Sequence, residues 1–489
     1  MGTDRSVHFE PFVQLAGLDD DQALIAWGGF WFRLADDGRG QRIVDDADLA
    51  GVDAGRTGSI GVRSEPYGAA EVRAYGPDGA VAAQARTDEA NHVWLRGLRA
   101  STTYRYEVLV DGRPWAPREC LRWERLDDQH GELRPAGRGY DLRFTTFPQP
   151  GAASTLRFAA LGDYGFGIQT ADEQGAHQRH LAAVLEQLVD ADRLDLIVTL
   201  GDNIYHGEGI SMGGSGAEDD DWYFSYYEPY RLTISRVPVF PSIGNHDAAE
   251  TERSDDRGQV ADNHFTELRF HPDVEASRAS VSVEGDRAAG LFYRFSYGDL
   301  VEFACIDTSE AAGFDAVRYF DDPQHQPFLE RTFDPRRADR GRWLIPFGHH
   351  PPYCAGPSHR NDDAQLRTMI PHYRRAGVQV VLAGHEHNFQ HALDDGLHVL
   401  VCGAGGKLTR GEPPRTRAAH TRSWADVPHV LLGEVTDEQL RLRPVSALDE
   451  HGEPVPFIAH GADGQPDEAF PLTIAADPPA ADGPGGMAG

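Results

Sequence analysis

The chain has 489 residues, among them 53 glycines and 31 prolines, and carries a formal net charge of −31. This length exceeds the size at which one hydrophobic core usually stops growing, so we expect two domains, and the composition favours a loop-rich protein with much β-structure. The negative charge argues against a nucleic-acid partner, because proteins that bind nucleic acids concentrate positive charge on one face.

The amino terminus gives a prediction about location. Residues 1–30 have neither the basic start nor the apolar run of a signal peptide. No stretch approaches the roughly 18 apolar residues of a membrane-spanning helix, so no membrane partner is predicted. We therefore expect a cytoplasmic protein as the sequence is written, and a secreted or periplasmic one if a leader was removed.

The region up to residue 148 has the pattern of a small β-sandwich. Short alternating segments such as ALIAWGGFWFRL and TYRYEVLVDG are separated by Gly, Asp and Pro turns. Residues 94–112 resemble the closing strands of a fibronectin type III module, which is a statement about architecture only. We assign residues 1–148 to this immunoglobulin- or fibronectin-like domain and residues 149–154 to a linker.

From residue 155 the pattern changes to apolar strand runs that alternate with helical segments, which predicts an α/β domain over residues 155–475. Five runs read as buried strands: TLRFAAL, DLIVTL, PVFPSI, RWLIPF and VQVVLA. Two segments are predicted to be unstructured: a mobile glycine-rich acidic loop at 212–221 and a disordered tail at 476–489.

The four cysteines, Cys120, Cys305, Cys354 and Cys402, lie far apart in the sequence and form no CxxC pair. A zinc ribbon or a thioredoxin-type site therefore has little support. Buried thiols in a reducing compartment are favoured over a disulfide.

Each of the five predicted strands is followed at once by glycine with a metal-binding residue type. The five sequences are GDYG (162–165), GDNIY (201–205), GNHD (244–247), GHHP (348–351) and GHEH (384–387). Catalytic groups in such sheets gather at the carboxyl ends of strands, so five loops are expected to converge on one site. Mixed oxygen and imidazole donors suit iron, zinc or manganese. Each fragment is weak evidence alone, but the five in order indicate a metal site.

These five blocks resemble those of the purple acid phosphatases, within the calcineurin-like metallophosphoesterases. The resemblance covers roughly residues 155–435 and implies an α/β (α+β) sandwich of two β-sheets flanked by helices. The spelling GDNIY is similar to the tartrate-resistant branch, whereas an amino-terminal β-domain is similar to the two-domain plant type, so the subfamily stays open.

The resemblance implies two metal ions. A ferric ion would be held by Asp163, Tyr205 and His387, and Asp202 would bridge it to a divalent iron, zinc or manganese ion. Asn245, His349 and His385 would hold the second ion. Tyr205 discriminates between branches of the family, because related nucleases and protein phosphatases keep most of the site without this tyrosine.

Two histidines are predicted to act on the substrate. By resemblance, His246 would contact a phosphate oxygen or protonate the leaving group, and His359 would be the other substrate-facing histidine. A solvated loop histidine is the alternative for His359. His350 and His206 are candidates for additional contacts.

The resemblance thus implies an acid phosphatase that hydrolyses small phosphate monoesters through a metal-activated hydroxide. A phosphodiesterase on the same fold is the nearest alternative, because the same metals attack either ester. A binding or adhesion protein with a relic metal site is the alternative from another class. Nothing in the sequence predicts the oligomeric state.

Overall fold

The computed structural model describes most of the chain. The described residues are 7–35, 38–43, 66–126, 130–169, 173–205, 222–249, 268–270, 292–308, 325–337, 341–359, 364–467 and 470–476. His206, the predicted acidic loop at 212–221 and the predicted tail beyond residue 476 lie outside these ranges.

The amino-terminal region forms two antiparallel sheets that face each other. Its strands are β1 (Val7–Leu18), β2 (Gln22–Leu34), β3 (Gln41–Ile43), β4 (Ala70–Tyr75), β5 (Val81–Thr87), β6 (His92–Arg96), β7 (Thr103–Val110), β8 (Arg113–Pro114), β9 (Leu121–Arg125), β10 (Gly131–Pro135) and β11 (Arg143–Thr145). One sheet has the order β1-β2-β3-β10-β9 with β6 beside β2, and the other has the order β11-β7-β4-β5 with β8 beside β7. In β4 and β7 buried and less buried residues alternate, as expected for strands with one face on a core.

The second region is built on two further sheets. Its strands are β12 (Leu156–Leu161), β13 (Leu196–Thr199), β14 (Val239–Phe240), β15 (Tyr293–Tyr297), β16 (Val301–Cys305), β17 (Trp343–Phe347), β18 (Val380–Ala383), β19 (Phe389–Asp394), β20 (Leu397–Cys402), β21 (Thr421–Ala425), β22 (Val430–Val435), β23 (Gln439–Val445), β24 (Ala459–Gly461), β25 (Pro466–Asp467) and β26 (Leu472–Ala475). The sheet orders are β14-β13-β12-β22-β23-β26 and β15-β16-β17-β18-β20-β19-β21-β24-β25.

The two sheets of the second region pack face to face through apolar side chains. Phe158 of β12 meets Phe303 of β16 edge to face, with ring centroids 5.3 Å apart. Strands β12, β13, β16, β17 and β18 consist largely of buried residues, which explains why they read as continuous apolar runs rather than alternating ones.

Helices are few in the described residues. They are α1 (Glu173–Asp190), a π-helical turn (Tyr223–Tyr227), α2 (Glu228–Ile234), α3 (Asn245–Ala249), α4 (His325–Thr332), α5 (Ala364–Arg367) and α6 (Ile370–Arg375). Within the described ranges, none of these helices is long and apolar enough to cross a membrane.

The π-helical turn joins the two regions. Phe12 of β1 stacks on Tyr227 with ring centroids 3.9 Å apart, and Phe30 of β2 meets Tyr223 at 5.0 Å. On the other side of the turn, the Ser225 hydroxyl donates a hydrogen bond to the carbonyl of Gly165 at 2.9 Å. The amino-terminal sandwich therefore packs against a segment that contacts one of the five predicted metal-binding loops.

The structure agrees with the predicted fold class: an all-β sandwich precedes a mixed region with two sheets and flanking helices. All five predicted buried strands are present, although PVFPSI supplies only the two-residue β14. The four cysteines are buried and free. The domain boundaries and the fibronectin type III name stay predictions.

Candidate dinuclear metal centre

The candidate site lies where five strands end. Strands β12, β13 and β14 run parallel in one sheet, and β16, β17 and β18 run parallel in the other. The loops after β12, β13, β14, β17 and β18 carry the predicted ligands. Because the carboxyl ends of parallel strands meet at one edge of a sheet, these loops converge.

Three of the predicted ligands have left-handed backbone conformations. The φ angles are 57° at Asp163, 51° at Asp202 and 73° at His385. Non-glycine residues adopt this region uncommonly, and such strain tends to concentrate at functional sites. At Gly244 a Cβ atom would overlap the Asp202 side chain, so the third loop approaches the second closely only because this residue is glycine.

One group of donor atoms surrounds the Tyr205 hydroxyl. This hydroxyl donates to Asp202 Oδ2 at 2.8 Å and lies 3.1 Å from Asp163 Oδ1. His387 Nε2 lies 3.5 Å from the same hydroxyl and 3.4 Å from Asp163 Oδ1. Tyr205 therefore faces the carboxylates rather than the core, and four predicted ligands form one cluster.

The second group consists of Asn245, His349 and His385. Asn245 Oδ1 lies 2.9 Å from His349 Nε2 and 3.0 Å from His385 Nδ1, and these two nitrogens are 3.2 Å apart. The carbonyl of Leu200 accepts a hydrogen bond from His349 Nδ1 at 2.8 Å, which leaves the lone pair on Nε2, facing the site. His349 Nε2 is also 3.4 Å from Asp202 Oδ1, so Asp202 contacts both groups.

This donor set fits bound cations. Asp163 and Asp202 are 0% and 1% exposed, and each lies 3.4 Å from a histidine nitrogen, Asp163 from that of His387 and Asp202 from that of His349. Buried carboxylates are normally paired with a cation or coordinate a metal. The oxygen and nitrogen atoms of Asp163, Asp202 and His349 all lie within 4.8 Å of one another, which is a spacing that metal ions bridge.

The pKa shifts within the cluster also favour metal binding. Burial and the neighbouring Asp202 hold the pKa of Asp163 well above its usual value, whereas burial lowers the pKa values of His385 and His387. The imidazoles are therefore neutral, which is the form that binds metals. A bound cation would reverse the direction at Asp163 and keep its carboxylate ionised.

The predicted substrate histidines lie beside this cluster. The ring centroid of His246 is 4.3 Å from that of Tyr205, and its backbone N–H donates to Asp202 Oδ1 at 2.9 Å. The ring of His359 lies 3.8 Å from that of His385. His350 is also adjacent, with its ring 4.2 Å from that of His385. All nine residues predicted for the site are therefore close together.

Some residues at the site had no predicted role. Buried Asp247 accepts hydrogen bonds from the backbone N–H groups of Gly244 and Asn203 at 2.6 and 3.0 Å, and so ties the third loop to the second. Lys407 Nζ lies 4.2 Å from the centroid of the Tyr205 ring. Asp247 lies within the third motif and Lys407 follows the fifth, but nothing in the sequence indicated what either side chain contacts.

Sequence comparison relates the chain to known phosphoesterases. The family model for calcineurin-like phosphoesterases matches residues 156–389. The chain is 24% identical over 287 residues to purple acid phosphatase 17 of Arabidopsis thaliana, covering 53% of this chain and 70% of that protein. It is also 24% identical over 270 residues to tartrate-resistant acid phosphatase type 5 of Oryctolagus cuniculus, covering 52% of this chain and 74% of the relative.

Solved structures show the same fold at low sequence identity. The structure of PhoD superposes with a TM-score of 0.58 and 12% identity, covering 96% of this chain and 92% of PhoD. Purple acid phosphatase PPD1 from yellow lupin (Lupinus luteus) seeds gives a TM-score of 0.51 and 14% identity, covering 94% of this chain and 73% of the lupin chain. Residues 156–389 are therefore a calcineurin-like phosphoesterase domain, and the chain is a phosphoester hydrolase with purple acid phosphatases among its relatives.

Proposed function

We propose that the chain is an acid phosphatase that hydrolyses small phosphate monoesters at a dinuclear metal centre. The observation that carries the proposal is the division of the donor atoms into two groups that share Asp202. A single-metal site would need only one such group.

The two groups differ in chemistry. Asp163, Tyr205 and His387 would hold a ferric ion, because a phenolate and a carboxylate suit a hard trivalent ion. Asn245, His349 and His385 would hold a divalent iron, zinc or manganese ion, because an amide oxygen and two imidazoles suit a softer cation of lower charge. Asp202 would serve both ions, since its two oxygens face different groups.

Metal ions at such a site lower the pKa of a bound water and offset the charge that develops in the displacement. The remaining tasks fall to the chain's own side chains. His246 would orient a phosphate oxygen or give a proton to the leaving alcohol, and His359 would contact the phosphate from the side of His385. Asp163, Asp202 and His385 have left-handed backbone conformations at the strand ends. These fixed loops would hold the ligand atoms in place before substrate arrives, which reduces reorganisation of the site during the reaction.

The test combines metal analysis, visible absorption and hydrolysis of p-nitrophenyl phosphate by purified protein. We expect two metals per chain, a charge-transfer band that Tyr205→Phe removes, and faster hydrolysis of p-nitrophenyl phosphate than of bis-p-nitrophenyl phosphate at acidic pH. The matched control is Tyr226→Phe, which removes another buried hydroxyl, one that accepts a hydrogen bond from Gln14 at 3.0 Å.

Each part of the proposal has its own contrary result. A colourless protein with two zinc or manganese ions would contradict ferric coordination and leave the phosphatase assignment standing. Preference for the diester would instead identify a phosphodiesterase. Absence of hydrolysis in fully metal-loaded protein would contradict both.

A further inference from the structure

Three buried polar residues occupy alternate positions in and after the GHEH motif. Glu386 and Asn388 are fully buried, and Gln390 is 2% exposed. They alternate with His385, His387 and Phe389. We name Glu386, Asn388 and Gln390 the polar ladder. The side chains of all three bind the loop that leads to His359, whereas those of His385 and His387 lie among the predicted metal-binding atoms.

The ladder binds the backbone of the loop that carries His359. Gln390 accepts the N–H of Ala355 at 2.8 Å and donates to the carbonyl of Gly356 at 3.0 Å. Asn388 donates to the same carbonyl at 3.0 Å. The two ladder amides are also joined, because Gln390 donates to Asn388 Oδ1 at 2.8 Å.

Glu386 makes the contacts nearest to His359. Its Oε2 accepts the N–H of His359 at 2.7 Å, and its Oε1 accepts the N–H of Ser358 at 3.3 Å. The His359 Nδ1 atom lies 3.5 Å from Oε2. A carboxylate that accepts backbone N–H groups makes shorter and stronger bonds than a neutral acceptor does, so Glu386 fixes the end of the loop.

The fixed loop sets the position of the His359 ring. That ring lies 3.8 Å from the ring of His385 at an interplanar angle of 31°, and 5.5 Å from the ring of His387 at 90°. One short segment thus supplies two predicted metal ligands and also anchors the predicted substrate-facing histidine. The separation between the predicted ligands and His359 is therefore set by neighbouring residues of a single segment.

We propose that the polar ladder positions His359 over the metal centre, with Glu386 as its principal member. The proposal rests on the proposed function, in which His359 faces the phosphate. Glu386 acts through His359 and touches neither substrate nor metal. The reaction depends on this arrangement because a displacement of about 1 Å in a positioned group can cost about 100-fold in rate.

Glu386→Gln is the primary test. The substitution preserves shape, but both carboxylate oxygens accept N–H groups, so the new amide NH₂ must face a backbone N–H. In the metal-loaded enzyme we expect kcat/KM for p-nitrophenyl phosphate to fall about 10-fold or more, with metal content unchanged. In a His359→Ala background the same substitution should cause no further loss. Hydrogen–deuterium exchange at residues 354–359 should become faster.

Two more variants separate positioning from general damage. Gln390→Ala removes the far end of the ladder, and we expect a smaller loss of kcat/KM that also disappears in the His359→Ala background. Glu302→Gln alters an equally buried carboxylate, which pairs with Arg294 and Arg337, and should not change exchange at 354–359.

Several results would overturn the proposal. Loss of metal from Glu386→Gln would show that the residue supports the ligands themselves. Multiplying effects of Glu386→Gln and His359→Ala would show independent roles, and unchanged exchange would show that the ladder does not hold the loop. If the wild type does not hydrolyse phosphate esters, the proposed function fails while the exchange measurement still reports on the ladder.

Discussion

At the scale of single residues, Lys407 stands out because it is the only lysine in a chain with a net charge of −31. Its Nζ lies 4.2 Å from the centroid of the Tyr205 ring and 5.8 Å from that of Phe166. Its backbone N–H donates to the carbonyl of Asp163 at 3.0 Å. The side chain therefore places a fixed positive charge on the face of a predicted metal ligand.

We predict that Lys407→Met lowers the free energy of unfolding by about 1 kcal/mol, because a partly desolvated cation–π contact is worth roughly 0.5–2 kcal/mol. Urea denaturation followed by fluorescence measures the change. Arg410→Met is the control, since its ion pair with Glu173 is more than half exposed on both sides and such pairs contribute little. Equal losses in the two variants would contradict a specific role for the ring contact.

Five of the predicted ligands could be predicted from the sequence because each directly follows an apolar strand and a glycine: Asp163, Asp202, Asn245, His349 and His385. Tyr205 and His387 lie in the same motifs but were assigned as ligands by family resemblance. The polar ladder was not predictable. Glu386, Asn388 and Gln390 read as ordinary polar residues, and their role depends on a loop about 30 positions earlier that packs against them. Local sequence patterns report periodicity and turns, whereas pairing between distant loops is set only by the packed sheets.

At the scale of elements, α2 and the preceding π-helical turn connect the amino-terminal sandwich with the phosphoesterase domain. Arg231 of α2 forms an ion pair with Glu10 of β1 at 2.6 Å, and their side chains are 6% and 4% exposed. Arg231 also donates a hydrogen bond to the carbonyl of Leu121. The aromatic run WYFSYYEPY at 222–230 gave no sign of this contact, because such a run packs equally well in any core.

Arg231→Met should destabilise the protein by about 3–5 kcal/mol, since it removes the buried guanidinium that pairs with the Glu10 carboxylate. Thermal unfolding and urea titration both measure this loss. We expect the double variant Glu10→Gln, Arg231→Met to be more stable than the sum of the single effects implies. Arg138→Met provides the comparison: Arg138 also bridges the two regions, through Asp190, but is 44% exposed and should cost about 1 kcal/mol or less. A similar cost for both arginines would contradict the prediction.

At the scale of the whole molecule, acidic pH should favour the proposed activity but lower the stability of the fold. The proposed phosphatase works at acidic pH, yet the fold contains buried neutral histidines outside the five metal-binding motifs. Burial lowers the pKa of His391 to about 3 and that of His429 to about 4. An unfolded histidine has a pKa of about 6.5. The unfolded chain therefore binds more protons between pH 4 and 6.5, so stability is full above about pH 6.5 and declines below it.

Each such histidine should cost about 1.4 kcal/mol of unfolding free energy per pH unit in that window. His429 is the cleaner test, because its Nδ1 donates to the carbonyl of Val427 at 2.8 Å and an asparagine amide can replace that bond. When the pH falls from 7.5 to 5.5, we expect the free energy of unfolding of His429→Asn to fall by about 1 kcal/mol less than that of the wild type. Urea denaturation at both pH values measures this difference. His451→Asn, at a side chain that is 78% exposed, should leave the pH dependence unchanged. If His429→Asn keeps the full wild-type dependence, protonation of this buried ring does not limit stability in acid. The decline would then arise at other buried histidines such as His391, or at the histidines of the metal loops, where bound metal would suppress it.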